Sequence, residues 1–246
     1  MDKKVSGGKN TYGEIIGIIM SERTFPRIPG DMGNATTFNF PVRLHVIKGF
    51  DVSTRLRLFS GSTEFIEPFM QAAKQLEEIG VRAITSNCGF IIQYQDIISN
   101  SVNIPVFTSS LLQIPLVYKM LKKDQIIGIL TADGSSRGLG EKHLEAAGAK
   151  DIPVVIRGME NAKSFKDLNE NKAVIYPEKI KEELVTTAKE LIKDYPKIGA
   201  IVLECANMPA YSKFIQEATT LPVFDFVTLT NWVYSALVKK EFNGYM

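Results

Sequence analysis

The chain has 246 residues, of which 45% are hydrophobic and 23% are charged, as in ordinary soluble globular proteins. Its 29 basic and 27 acidic residues leave a formal net charge of +2, which excludes the strongly basic surface of nucleic-acid-binding or membrane-surface proteins. The apolar stretches are strand-sized, and none approaches the roughly 20 residues of a membrane-spanning helix. The expected partner is therefore a small molecule, not a nucleic acid or a membrane.

The polar N-terminus lacks the apolar core of a secretory signal, so residues 1–12 are predicted to be a flexible tail and the location to be cytoplasmic. In a reducing compartment the only two cysteines, Cys88 and Cys205, are expected to be thiols. His45 and His143 are expected at the surface. Because the chain has no Cys-x-x-Cys spacing, no metal site is predicted.

Strands and helices alternate along the first half of the chain. Apolar residues at helical spacing predict a helix over Glu64–Ile79, closed by Gly80. The other elements predicted here are the strands Ile15–Met20, Val42–Ile47, Val81–Thr85 and Ile104–Phe107, and the helices Phe90–Ile98 and Leu111–Leu121.

The pattern restarts in the second half, where the strand 126–130 echoes residues 15–19. Residues 136–148 are predicted to form a helix that ends at Gly148, and the polar stretch after residue 156 a loop or short helix. The other elements predicted here are the strands Val154–Ile156, Ile198–Leu203 and Leu221–Phe224, and the helices Lys179–Tyr195, Pro209–Thr219 and Asn231–Lys240.

The two cysteines occupy matching places in this repeat. Each ends an apolar strand, and Pro105 and Pro222 each follow their cysteine by 17 positions. The repeat predicts an α/β fold of two pseudo-symmetric lobes, each a parallel sheet flanked by helices. Because ligands bind beyond the carboxyl ends of parallel strands, we expect an active site in the cleft between the lobes, with one thiol on each side.

Two opposed thiols suit the removal of a proton from a carbon next to a carboxylate. The pKa of a thiol lies within reach of neutrality, and a helix that follows the cysteine favours the thiolate. One thiolate takes the proton, and the other thiol returns one on the opposite face. A single cysteine in an α/β protein is usually a small buried hydrophobe, but this pair is repeat-equivalent and has polar neighbours.

The motifs "TSNCGF", "LECANMP" and the paired "PVF" strands resemble the aspartate/glutamate/hydantoin racemase superfamily, from about Gly13 to the C-terminus. These are cofactor-independent enzymes with one catalytic cysteine in each of two lobes. The resemblance implies that Cys88 and Cys205 are catalytic, that no cofactor is needed and that a homodimer is expected. It also implies that the last helix packs on the first lobe, which gives lobes of 13–107 plus 225–246 and of 108–224.

Six further residues are candidates for substrate binding. Short hydroxyls and amides beside the thiols suit a carboxylate, although as caps or turn residues they would serve the fold alone. A guanidinium in the Gly/Pro-containing segment after the first strand suits a second carboxylate, and a carboxylate beside Cys205 suits an ammonium group. The candidates are Ser21, Arg27, Asn87, Thr131, Glu204 and Asn207.

The function expected from these residues and the resemblance is racemisation of an acidic amino acid such as aspartate or glutamate. Gly89 and Ala206 follow the cysteines, where the superfamily commonly has other residues, so the substrate stays open. The alternatives are a hydantoin or allantoin racemase, a decarboxylase or isomerase of the same superfamily, and a small-molecule binding protein without catalysis.

Overall fold

The computed structural model describes residues 4–51, 54 and 66–246. Within these residues the strands form two parallel four-stranded sheets with helices packed against them. This is the predicted α/β fold of two lobes. The start of the predicted helix Glu64–Ile79 lies outside the described residues.

The two sheets have the same strand order. The first sheet, ordered β2-β1-β3-β4, contains β1 (Ile16–Ser21), β2 (Val42–Ile47), β3 (Ala83–Ser86) and β4 (Val106–Phe107). The second sheet, ordered β6-β5-β7-β8, contains β5 (Ile126–Thr131), β6 (Val154–Gly158), β7 (Ile198–Leu203) and β8 (Val223–Phe224). The inner strands β3 and β7, which precede the two cysteines, therefore hold equivalent positions.

Helices follow most of the strands. Within residues 4–51 and 66–246 they are α1 (Ile66–Ile79), α2 (Gln95–Ser99), α3 (Ile114–Met120), α4 (Glu141–Ala146), α5 (Lys163–Asn169), α6 (Pro177–Asp194), α7 (Ser212–Thr219) and α8 (Phe226–Leu237). Short 3₁₀ segments lie at Ala35–Thr37, Gly89–Tyr94, Ser110–Gln113 and Pro209–Tyr211. In the described part of the chain, none of the helices has the length and apolar character to cross a membrane.

The glycine shared by the two repeats lets a helix approach each sheet closely. A Cβ on Gly17 of β1 would lie 2.9 Å from a methyl group of Leu76 in α1. A Cβ on Gly128 of β5 would lie 3.1 Å from a methyl group of Leu191 in α6. The repeated "IIGI" pattern thus reflects a packing requirement common to both lobes.

Two predicted helices have other boundaries than expected. The helix predicted over 136–148 begins only at Glu141, because Gly138 lies in a tight turn in which the Leu139 N–H donates to the Asp133 carbonyl at 2.9 Å. The last helix covers Phe226–Leu237 instead of 231–240, because Asp225 caps it by accepting from the Thr228 N–H at 2.7 Å.

Apolar contacts cross the predicted lobe boundaries. Phe25 and Phe90 from the first half of the chain belong to the core cluster of the second sheet. Phe226 and Leu229 of α8 pack in one cluster with Ile16 of β1, as expected of a last helix that returns to the first lobe. The lobe boundaries themselves stay a prediction. Residues 4–12 are exposed and form neither helix nor strand, and their flexibility also stays a prediction.

The expectation that His143 lies at the surface is wrong. Its side chain is fully buried in α4, and its ring meets the Phe90 ring edge-on at a centroid distance of 5.2 Å. Its Nδ1 accepts from the Gly140 N–H at 3.2 Å. Its Nε2 has no hydrogen-bond partner among the described residues. Burial, together with the charge of Lys142, lowers the pKa of His143 to about 4. His45 is half-buried.

We therefore expect stability to fall on mild acidification. Between pH 6.5 and about 4 the unfolded chain binds a proton at His143, whereas the folded chain does not. The free energy of unfolding therefore decreases by up to about 3 kcal/mol as the pH falls through this range. Urea unfolding at pH 7, 5.5 and 4.5 measures this change. In His143→Gln the free energy of unfolding should depend less on pH over this range. An equally steep decrease in that variant would contradict the assignment of the pH dependence to His143.

Candidate active site

The two thiols line one pocket between the sheets. Cys88 lies two residues beyond the end of β3, and Cys205 lies two residues beyond the end of β7. They are not joined by a disulfide. Seven of the eight predicted site residues line this pocket, namely Ser21, Arg27, Asn87, Cys88, Glu204, Cys205 and Asn207. Inside the pocket, the centre of a water molecule can occupy a volume of about 20 Å³.

Asn87 joins the end of β3 to the end of β1. Its Oδ1 accepts from the Ser21 N–H at 2.9 Å, and its Nδ2 donates to the Ser21 Oγ at 3.3 Å. Both residues are buried. Because the side-chain oxygen and nitrogen of Asn87 are both engaged with Ser21, the amide fixes the backbone that leads into Cys88.

Glu204 makes the corresponding junction in the second lobe. Its Oε2 accepts from the Thr131 Oγ1 at 2.8 Å and from the Ala132 N–H at 3.3 Å, which ties the end of β7 to the end of β5. Thr131 is fully buried and does not line the pocket. The structure thus places Thr131 behind Glu204, where it holds the carboxylate, rather than at the pocket surface where we expected a hydroxyl for substrate.

The carboxylate of Glu204 also approaches the other lobe. A Cβ built on Gly89, directly after Cys88, would lie 2.2 Å from Glu204 Oε1 and 2.3 Å from the Glu204 carbonyl oxygen. No side chain fits there. This contact explains the glycine that follows Cys88, which the sequence had marked as unusual.

The backbone around the two cysteines differs. Cys88 precedes the 3₁₀ segment Gly89–Tyr94 directly, and its carbonyl accepts from the Ile91 N–H at 3.1 Å. Cys205 begins a turn in which its carbonyl accepts from the Met208 N–H at 3.0 Å, and the helical chain starts only at Pro209. The predicted helices after both thiols are confirmed, although the second begins four residues beyond its cysteine, at Pro209 as predicted.

Arg27 is one of two arginines that line the pocket, beside Arg23. Its Nη1 pairs with Asp31 Oδ1 at 2.7 Å, and its guanidinium lies 4.7 Å from the Phe25 ring centroid. Its Nη2 is buried and has no hydrogen-bond partner among the described residues. Burial raises the pKa of Asp31, although the charge of Arg27 opposes this shift. One edge of the guanidinium is thus fixed, and a buried donor remains.

Sequence reasoning missed several residues of the pocket. Arg23 and Phe25 lie on it beside Arg27, and their spacing of two residues along an extended segment was an available signal. Phe90 follows Gly89 on the other wall. Asn169, at the end of α5, had no such signal, because α5 lies in the stretch predicted as a loop or short helix. Within residues 4–51, 54 and 66–246, no three His, Cys, Asp or Glu side chains are arranged to hold a metal ion.

Comparison with known proteins gives a family and a set of relatives. A family model described as Asp/Glu/Hydantoin racemase matches residues 41–233. Dimethylsulfoniopropionate lyase 7 of Emiliania huxleyi is 30% identical over 91% of this chain and 67% of that protein. The dimethylsulfoniopropionate lyase of Durusdinium sp. clade D is 28% identical over 91% of this chain and 75% of that protein. For lyase 6 of Emiliania huxleyi, also 30% identical, this chain spans only 60% of its length.

Solved structures share the fold at low sequence identity. Arylmalonate decarboxylase superimposes with a TM-score of 0.61 and 13% identity over 92% of this chain and 95% of that chain. The aspartate racemase of Picrophilus torridus gives a TM-score of 0.54 and 16% identity over 93% of this chain and 96% of that chain. At these identities the likeness concerns the fold alone.

The contact between Gly89 and Glu204 predicts a strong effect of a single methyl group. Gly89→Ala should lower the free energy of unfolding by about 1–3 kcal/mol, because the methyl group meets a backbone carbonyl that cannot rotate away. Thermal and urea unfolding measure this loss. Gly140→Ala is the control, since a Cβ there meets nothing within 4 Å and only helix capping changes. Equal stability of the two variants would contradict the close approach.

Proposed function

Because this chain belongs to the Asp/Glu/hydantoin racemase family, whose model matches residues 41–233, we propose that it is an enzyme that removes the proton from a carbon next to a carboxylate. Cys88 and Cys205 are the acid–base groups of this proposal. The observation that carries it is that both thiols line one small pocket together with Arg27 and Glu204. A purely structural pair of cysteines would not need these charges beside it.

The substrate carboxylate binds at Arg27. The buried Nη2 donates to it, while the Asp31 carboxylate holds the other side of the guanidinium in place. A carboxylate fixed in this way places the adjacent carbon among the thiols. The donor that faces the carboxylate also stabilises the negative charge that grows on it as the proton leaves.

The other end of the substrate is positively charged. Glu204 brings a buried carboxylate to the pocket wall, held there by Thr131 and by the Ala132 N–H. Phe90 lines the same pocket and offers aromatic surface to a cation that has no N–H groups. A molecule with a carboxylate and a cationic group a few bonds apart matches both ends.

The reaction favoured by the named relatives is β-elimination from dimethylsulfoniopropionate, which has a carboxylate and a sulfonium group. A thiolate takes the proton from the carbon next to the carboxylate. The electron pair of that C–H bond forms the new carbon–carbon double bond, and the carbon–sulfur bond breaks with its electrons on sulfur. The products are acrylate and neutral dimethyl sulfide, and the proton rests on the thiol. No second proton transfer to carbon is needed.

Racemisation of an acidic amino acid is the second candidate. It is favoured by the presence of two thiols from two lobes, since a second thiol can return a proton on the opposite face. Arg27 then binds the α-carboxylate and Glu204 the ammonium group. A neutral ureide such as a hydantoin would leave both of these charges without a counterpart, and for this reason we rank it lower. A cytoplasmic location and a homodimer stay predictions.

The first experiment is proton NMR in D₂O with dimethylsulfoniopropionate, aspartate, glutamate and hydantoins, together with headspace analysis for dimethyl sulfide. We expect dimethyl sulfide and acrylate from the first compound. Exchange of an α-proton in an amino acid without elimination would instead support the racemase. If none of these compounds reacts and iodoacetamide modifies neither thiol at any pH, the result would support a binding protein without catalysis.

The two cysteine variants separate the mechanisms. For elimination, only one of the two thiols is the base. Replacing that cysteine by alanine should lower the rate by about 100-fold or more, and replacing the other, Cys88 or Cys205, should lower it less. For racemisation, both variants should lose full turnover, while one of them still exchanges the α-proton of one enantiomer. Wild-type rates in both variants would rule out thiol catalysis.

Arg27→Lys tests the carboxylate site. The lysine ammonium can keep the ion pair with Asp31, but it lacks the second donor edge of the guanidinium. We expect the KM for a carboxylate substrate to rise by about tenfold or more, with a smaller change in kcat. Arg157→Lys, in a surface ion pair with Asp194, is the control and should keep the wild-type KM. An unchanged KM in Arg27→Lys would remove Arg27 from the site.

A further inference from the structure

One segment of the first lobe crosses the pocket to the second lobe. This crossing segment, residues 23–27, follows Glu22, whose N–H donates to the Phe50 carbonyl at 2.9 Å and whose carboxylate accepts from the Gly49 N–H at 2.7 Å. Beyond the segment, Gly30 packs so closely on Ala210 that a Cβ would lie 2.3 Å from its Cα. Both ends of the crossing segment are therefore anchored.

Between these anchors the side chain of Asn171 binds the segment from the second lobe. Asn171 Oδ1 accepts from the Thr24 N–H at 2.8 Å and from the Phe25 N–H at 3.1 Å. Its Nδ2 donates to Thr24 Oγ1 at 3.2 Å. Arg23 Nη1 adds a bond to the Asn169 carbonyl at 2.8 Å.

The backbone at Asn171 is unusual. Its φ of 66° is left-handed, a conformation that only Asn171 and Thr220 adopt among the described residues other than glycine. Asparagine tolerates this conformation better than most residues. The turn after α5 thus directs the Asn171 amide toward the crossing segment.

The bonds to Asn171 decide how much room the pocket has. The crossing segment supplies three of the residues that line the pocket, Arg23, Phe25 and Arg27. With the segment in place, the 20 Å³ open to the centre of a water molecule hold about one water. An amino acid or a sulfonium carboxylate is several times larger than a water molecule, and displacement of the crossing segment is one way in which the space beside the thiols grows to fit such a ligand.

We propose that Asn171 is a positioning residue that holds the crossing segment over the pocket, and that release of its bonds to Thr24 and Phe25 admits the ligand. Asn171 acts through Phe25 and Arg27, which its bonds place against the ligand. This inference concerns access to the thiols and does not depend on which reaction they perform.

The test compares Asn171→Gly with Asn171→Asp. Glycine keeps the left-handed backbone and loses the side-chain acceptor, whereas aspartate keeps an acceptor oxygen for both N–H groups. The readouts are the rate at which iodoacetamide modifies Cys88 and Cys205, followed by mass spectrometry, and the hydrogen exchange of the Thr24 and Phe25 amides. Thr220→Gly is the matched control, because it changes the other left-handed residue, which lies at the end of α7.

We expect Asn171→Gly to raise the alkylation rate of the pocket thiols and the exchange of both amides by about five- to tenfold, in line with the loss of about one net hydrogen bond. In Asn171→Asp the alkylation and exchange rates should stay within about twofold of the wild type, and in Thr220→Gly they should be unchanged. Unchanged rates in Asn171→Gly, or an equal increase in Thr220→Gly, would overturn the proposal.

A second variant covers the case in which Asn171→Gly does not fold. Thr24→Val removes the Thr24 Oγ1 that accepts from Asn171 Nδ2, and its effect is measured by exchange of the Thr24 and Phe25 amides. Faster exchange of these amides, with unchanged exchange in β5 and β7, supports the proposal, and unchanged exchange of the same amides contradicts it. No readout needs turnover, so an inactive protein would count against the proposed function and not against the role of Asn171.

Discussion

Parallel pairing of the inner strands is the constraint on which the site depends. The Asn87 N–H extends the pairing of β3 with β1 by donating to the Ile19 carbonyl at 3.0 Å, and the Glu204 N–H does the same for β7 and β5 by donating to Leu130 at 2.8 Å. Because the carboxyl ends of parallel strands meet at one edge of a sheet, the residue after each inner strand meets the last residue of its neighbour. The residue that follows is a cysteine in both lobes, so the sheet geometry delivers both thiols to the same pocket.

The two junctions are alike in position and unlike in charge. In the first lobe the residue before the cysteine is the neutral amide Asn87, and in the second it is the carboxylate Glu204. Arg27, on the loop after β1, adds a positive charge from the first lobe. Charges of both signs therefore line the pocket, and their arrangement differs between the two lobes although the fold itself is nearly symmetric.

The sequence predicted the parts of the structure that follow from local patterns. Strands such as β2 and β7 lie at the predicted residues, and the repeat around Cys88 and Cys205 predicted two lobes, because alternating strands and helices leave few arrangements for a duplicated unit. Local signals were also present where the prediction was wrong. Asp225 three residues before Thr228 indicated the start of the last helix, and the glycines at 138 and 140 argued against a helix before Glu141.

The parts that could not be predicted depend on contacts between distant residues. His143 lies beside Lys142 in a polar context, but the folded chain buries it fully, and one of its contacts is the Phe90 ring, which is distant in the sequence. Asn171 is 146 positions from Phe25, and no local pattern connects them. Thr131 was predicted to follow the strand 126–130 and is its last residue, but its role depends on the direction of the Glu204 side chain.

The close approach of Glu204 to Gly89 also separates the spacing of the two cysteine loops from the charge between them. One of the atoms that exclude a side chain at position 89 is the backbone carbonyl oxygen of residue 204, so the glycine is required whichever side chain stands at 204. The loops after β3 and β7 thus meet backbone against backbone beside Cys88. The acidity of this part of the pocket can therefore change by substitution at 204 without a change in the spacing of the loops.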